Sequence, residues 1–149
     1  MSTAETNKRV VRRIREEIVA EDDLEAVEEI FTEEAVVHGP VRDWRGREAI
    51  RQSFEVNREA FSDYSLTVED MIAEGDTVAV RLTERGTHDG ELMGIEPTGN
   101  EFEHQTMAFL RLADGKIAEW WVQPDMLGLM QQLGLSPADL TAAMPAADD

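Results

Sequence analysis

Apolar residues at Val10, Val11, Ile14 and Ile18 recur with helical spacing and predict an amphipathic helix from Ala4 to Val19. Glu5 and Arg9, Arg12 and Glu16, and Arg13 and Glu17 lie four apart on its polar side. The basic cluster Lys8, Arg9, Arg12, Arg13 and Arg15 therefore reads as a solvated face. A second helix, capped by Asp22 or Asp23, is expected to run to about Phe31 through Leu24, Val27 and Ile30. EAVVHGP, residues 34–40, predicts a short strand stopped by Gly39-Pro40. DWRG then turns into a third helix over about Arg47 to Phe61, with Ile50, Phe54, Asn57 and Phe61 on one face.

After Asp63 the period changes to two. YSLTVEDMIAEG predicts a strand ending in the turn EGDT, and TVAVRLTERGTHDG predicts the next. MGIEPTGN is a loop rich in turn formers. EFEHQTMAFLRLADGKIAEWWVQ is a long hairpin closed at Ala113-Asp114-Gly115, with its last strand over Ile117 to Gln123. Pro124 ends the sheet, Asp125 can cap a helix over Met126 to Leu133, and Gly134 suits the position just past it. Ser136-Pro137-Ala138-Asp139 carries the signals of a last short helix, and MPAADD reads as a loose tail. Helices followed by a mostly antiparallel sheet predict one α+β domain over residues 1–149, with its core at about 8–135. A strongly curved sheet wrapped around the N-terminal helices would enclose a cavity.

Composition narrows what such a domain can do. The chain holds no cysteine, hence no disulfide, thiol nucleophile or thiolate metal site. His38, His88 and His104 show no metal-ligand spacing, so neither metal nor cofactor is expected. No apolar run approaches the ~20 residues of a membrane span, and no signal peptide is visible, so the expectation is a cytoplasmic protein. With 14 basic against 32 acidic residues the net charge is −18, and Lys8 and Lys116 are the only lysines. Acids spread along the chain, with almost no lysine, resemble the surface of a protein from a salt-loving organism. The same charge argues against nucleic acid and anionic membranes as partners.

Three segments in this order, ELMGIEPTGNEFE, FLRLADGKIAEWW and DMLGLMQQLG, resemble the SnoaL-like polyketide cyclase (ester cyclase) family of the nuclear transport factor 2-like superfamily. The resemblance covers residues 8–135. It implies a cone-shaped α+β fold, and an intramolecular aldol condensation carried out without metal or cofactor. It also implies a general acid/base aspartate on the last strand and a histidine on the preceding one. Counted outward from the Asp114–Gly115 turn, those positions fall on Val122 and Ala108, which cannot transfer a proton. A homodimer formed through the outer sheet face is a further implication of the family.

Strand alternation supplies the other candidates. If Ala108 and Val122 face the cavity, so do Phe102, His104, Thr106, Leu110, Ala118 and Trp120. His104 lies about 13 Å along the strand from Ala108, too far to replace the missing histidine but able to serve a ligand nearer the mouth. Its alternative role is a hydrogen-bonded strand histidine. His38 ends the first strand beside Trp44 and could pair with His104 as acid and base, or merely cap the turn. His88 is expected in a solvent-exposed loop. The pocket is expected to be lined by Trp44, Phe54, Thr106, Ala108, Trp120 and Val122, although Trp120 could equally be core packing. Glu119 falls on the opposite face unless a bulge intervenes. Met107, Phe109 and Trp121 are the expected interface. Three functions follow: an acid/base cyclase or isomerase for a hydrophobic, polyketide-like metabolite, a non-catalytic binder or carrier of a small apolar ligand, or a dimeric scaffold with a residual cavity.

Overall fold

The computed structural model describes residues 3–92, 94–136, 138 and 139. The first helix, α1 (Thr3–Arg13), continues as a π-helical turn over Ile14–Val19. Ile14 and Ile18 stay buried within this wider turn, and Arg13 clamps Glu17 from one turn earlier. The second helix is shorter than its apolar spacing predicts. A 3₁₀ turn, Leu24–Ala26, leads into α2 (Val27–Ile30), and neither aspartate caps it. Asp22 adopts a positive φ of 54° and Asp23 makes no side-chain capping bond.

Phe31 leaves the helix because the sheet claims it. It opens β1 (Phe31–His38), is completely buried, and pairs in parallel with Ile117. The expected DWRG turn contains a short strand, β2 (Asp43–Arg45), antiparallel to β1. Helix α3 (Gly46–Ala60) follows, then β3 (Phe61–Glu74), β4 (Thr77–His88), β5 (Glu101–Ala113) and β6 (Lys116–Pro124). The sheet has the order β2-β1-β6-β5-β4-β3, antiparallel except where β1 meets β6. The fold is thus α+β with a curved, mostly antiparallel sheet, as the pattern predicts.

Asp114 and Gly115 both take positive φ, 52° and 79°, in the two-residue hairpin between β5 and β6. That is the turn geometry whose twist matches the flanking strands. Helix α4 (Met126–Leu133) begins where expected: the Asp125 side chain accepts from the Gly128 N–H at 2.9 Å, and Gly134 closes the helix at φ 75°. Ser136 and Asp139 form reciprocal capping bonds, while the rest of the expected last helix and the tail lie outside the described residues.

The inner face of the sheet and the N-terminal helices share one core, containing Val11, Ile14, Ile30, Phe31, Ile50, Val78, Leu110 and Ile117. A second cluster joins Phe61 and Phe102 to Leu129 and Leu133 of α4. The pairing of β5 with β6 slips between Arg111–Glu119 and Leu112–Ile117, leaving Ala118 as the extra residue. Ile117, completely buried, therefore takes the inward place that uninterrupted alternation assigns to Ala118. Beyond the bulge, Trp120 and Val122 face inward as expected.

Candidate active site

Between α3, the turn after β1 and the inner faces of β4–β6 lies a cavity of ≈ 230 Å³. Trp44, Phe54, Leu66, Leu82, Trp120 and Val122 make its walls apolar. Trp120 stacks on Phe31 at 6.1 Å and meets Phe54 at 6.2 Å. Its indole Nε1 is buried without an acceptor among the described residues.

A polar cluster on β3–β5 interrupts this surface. Inward residues of β4 run Val78, Val80, Leu82 and then Glu84, whose carboxyl lies on the cavity wall at 14% exposure. Its Oε1 accepts from the Tyr64 hydroxyl and its Oε2 from the Thr106 hydroxyl. Each oxygen retains a further lone pair. Tyr64 arrives through a bulge: Ser62 pairs with Thr87 and Ser65 with Arg85, so two residues of β3 stand opposite Gly86. Asp63 in that bulge has a φ of 52°. Bulges re-aim side chains, and this one brings Tyr64 to Glu84. Desolvation, then the charge of Glu84 and the hydrogen bond to it, raises the Tyr64 phenol well above its ordinary value, which keeps it a donor.

His104 is paired across the strands with Glu84 and is nearly buried. Its Nε2 stands 3.9 Å from Glu84 Oε2, too long for a direct hydrogen bond. Its Nδ1 lies 3.3 Å from the Gln105 carbonyl, which can only accept; that contact places the Nδ1 proton there and leaves Nε2 facing the carboxyl.

Of the residues expected around a pocket, Trp44, Phe54, His104, Thr106, Trp120 and Val122 line this cavity. Ala108 does not. It packs in the core between Val80 and Val122. His38 does not meet His104. Val37 takes the inward position opposite Trp44 and Trp120, so the next residue faces outward. There His38 stacks on Trp121 at 5.5 Å, with Nε2 2.7 Å from Glu119 and Nδ1 3.1 Å from Asp43. Glu119 stays on that outer face because it pairs with Arg111, on the far side of the bulge.

The expectation that His88 is exposed is also corrected: its exposure is zero. Its Nδ1 accepts from the Thr98 N–H at 3.3 Å and lies 3.1 Å from the Thr98 hydroxyl. The Gly99 N–H donates to its carbonyl at 2.7 Å. His88 thus anchors the Gly-x-x-Pro-Thr-Gly loop from within, and burial lowers its basicity. Met107, Phe109 and Trp121, with Ile72, stand exposed on the outer face. Among the described residues no group of three or more His, Asp or Glu side chains is arranged to hold a metal ion, and no helix is long and apolar enough to cross a membrane.

Residues 9–133 match the SnoaL-like polyketide cyclase family. The chain belongs to that family. It is 35% identical over 101 residues to an aklanonic acid methyl ester cyclase from Streptomyces peucetius, a match covering 67% of this chain and 68% of that one. Its identity to the nogalonic acid methyl ester cyclase of Streptomyces nogalater is 34% over 90 residues, covering 60% and 67% of the two chains. Among solved structures, IdmH from Streptomyces antibioticus superposes with a TM-score of 0.75 at 32% identity, over 87% of this chain and 99% of that one. A SnoaL-like protein from Jannaschia reaches 0.83 at 24% identity, over 92% and 98%, a likeness of fold alone.

Proposed function

We propose that this SnoaL-like protein is a cofactor-independent cyclase or isomerase in which Glu84 is the general base, with His104 beside it. The observation that carries this reading is a cavity-wall carboxyl held by two hydroxyl donors with an imidazole nitrogen 3.9 Å away, inside a mostly apolar chamber. In an aldol closure Glu84 takes the proton from a carbon activated by adjacent carbonyls. The carbanion bonds to a second carbonyl carbon of the same molecule. The resulting alkoxide receives the proton back from Glu84, so the product is an isomer of the substrate. Folding such a chain between Trp44, Phe54 and Trp120 contributes orientation, worth roughly 7–11 kcal/mol at the upper end. The acid/base work then sits on β4 and β5 rather than at Val122 and Ala108.

The test uses aklanonic acid methyl ester, the compound in the name of the Streptomyces peucetius relative, and follows solvent deuterium exchange of its acidic C–H and ring closure by NMR. The wild-type protein is expected to accelerate both, and Glu84→Gln to lower the rate about 10²–10⁴-fold. An undiminished rate in Glu84→Gln removes that residue from the mechanism. A second reading, a carrier of apolar ligands, is favoured by the apolar Val122 on the cavity wall. Binding by the wild type without any exchange would select it.

We further propose a homodimer through the outer sheet face, where Met107 and Phe109 are 59% and 57% exposed beside Trp121. Sedimentation equilibrium is expected to give twice the chain mass, and Phe109→Asp the single mass. A monomeric wild type would contradict the assignment.

A further inference from the structure

Charges of opposite sign line the cavity at two places. Glu84 lies on the inner wall, whereas Arg42 stands exposed at the mouth, on the turn between β1 and β2. The Gly39 N–H closes that turn on the Arg42 carbonyl at 3.0 Å. The guanidinium lies over the Trp44 ring, 4.3 Å from its centroid, which holds the cation against the apolar wall. Its Nε makes only a long bond, 3.5 Å, to the Asp43 carbonyl, and among the described residues it has no carboxylate partner. In a chain with 32 acids this leaves most of a five-donor fork unused at the entrance of an apolar chamber.

We propose that the cavity's ligand is an apolar molecule carrying an anionic group, a carboxylate or its equivalent, which the Arg42 guanidinium receives at the mouth. The inference rests on the cavity reading above and names its substrate class. Glu84 repels an anion, so the pairing also sets orientation. The charged end lies at Arg42, the apolar body runs between Trp44, Phe54 and Trp120, and the reacting carbon points toward Glu84. An amide or a neutral ester, aklanonic acid methyl ester included, enters the same cavity without this contact and is held less tightly.

The experiment compares 2-naphthoate with 2-naphthamide, which share shape but not charge, by isothermal titration calorimetry at fixed ionic strength. The wild type is expected to bind the acid about fivefold more tightly, the upper range for one partly exposed ion pair. Arg42→Gln is expected to remove the preference while leaving the naphthamide affinity unchanged, which also shows that the cavity is intact. Arg42→Lys should retain part of it, and Arg85→Gln, the same change of charge on the outer face, should change neither affinity. Equal wild-type affinities, a preference that survives Arg42→Gln, a preference equally removed by Arg85→Gln, or no binding of either compound would each overturn the proposal. Loss of the preference alongside Glu84-dependent exchange would sink the anion assignment alone. An Arg42-dependent preference without exchange would sink the catalytic reading alone.

Discussion

Tyr64 is the chain's single tyrosine, so an alkaline absorbance titration reads its phenol without overlap from another. Burial and the Glu84 carboxylate both disfavour the phenolate, and the titration is expected to lie well above the ordinary value. Glu84→Gln removes the charge and should bring it partway back. The stability consequence has a definite sign. Above pH ~10 the unfolded chain releases a proton that the folded state still holds, so stability falls as pH rises into that range. A normal titration in the wild type would mean that Tyr64 and Glu84 do not meet. Gly86, opposite the bulge, has its own constraint: a Cβ there would lie 3.0 Å from the Phe102 ring, so a side chain would displace the aromatic packing beside the site.

At the scale of elements, His38 ties three strands together. It sits on β1, bonds Asp43 on β2 and Glu119 on β6, and Glu119 in turn accepts from Arg111 on β5 at 3.3 Å. The Glu119 bond and then Asp43 raise the His38 basicity against the opposing effect of burial. Chiefly through His38, the Glu119 carboxyl is lowered. The His38 contribution is complete below the unfolded value near ~6.5 and is lost as pH rises through the higher folded value. The Glu119 contribution is present above its unfolded value and is lost as pH falls through the lower folded one. Wild type and His38→Gln are therefore expected to differ most in thermal stability at mildly acidic pH and to converge at alkaline pH. A difference independent of pH would show that His38 acts through packing on Trp121 alone.

For the whole molecule, a net charge of −18 on 149 residues makes self-repulsion a standing cost of compactness. Salt screens such charges within ~10 Å at 0.1 M and ~3 Å at 1 M. Melting temperature is expected to rise between low and molar salt, and an unchanged melt would contradict that. The acidic surface also raises the significance of Arg42, because an anionic ligand reaches the cavity against the field of the entire chain.

Residue order alone determined the α+β layering, the limits of α4, the Asp114–Gly115 turn and the inward set of Trp120, Val122, His104 and Thr106. Each depends on a local period or on a turn preference. Glu84 was legible by the same rule, since it is the next inward position after Val78, Val80 and Leu82. Tertiary structure decided the rest. Phe31 exchanged helix for strand because pairing with Ile117 buries it completely. The outward turn of His38 follows from which face of β1 meets Trp120, a matter of register between strands some 80 residues apart in sequence. Bulges at Asp63–Tyr64 and at Ala118 shift which side chains face inward without leaving a mark in the hydrophobic pattern. Local sequence sets the period of a strand, whereas its phase against distant partners is set by the packing of the whole sheet.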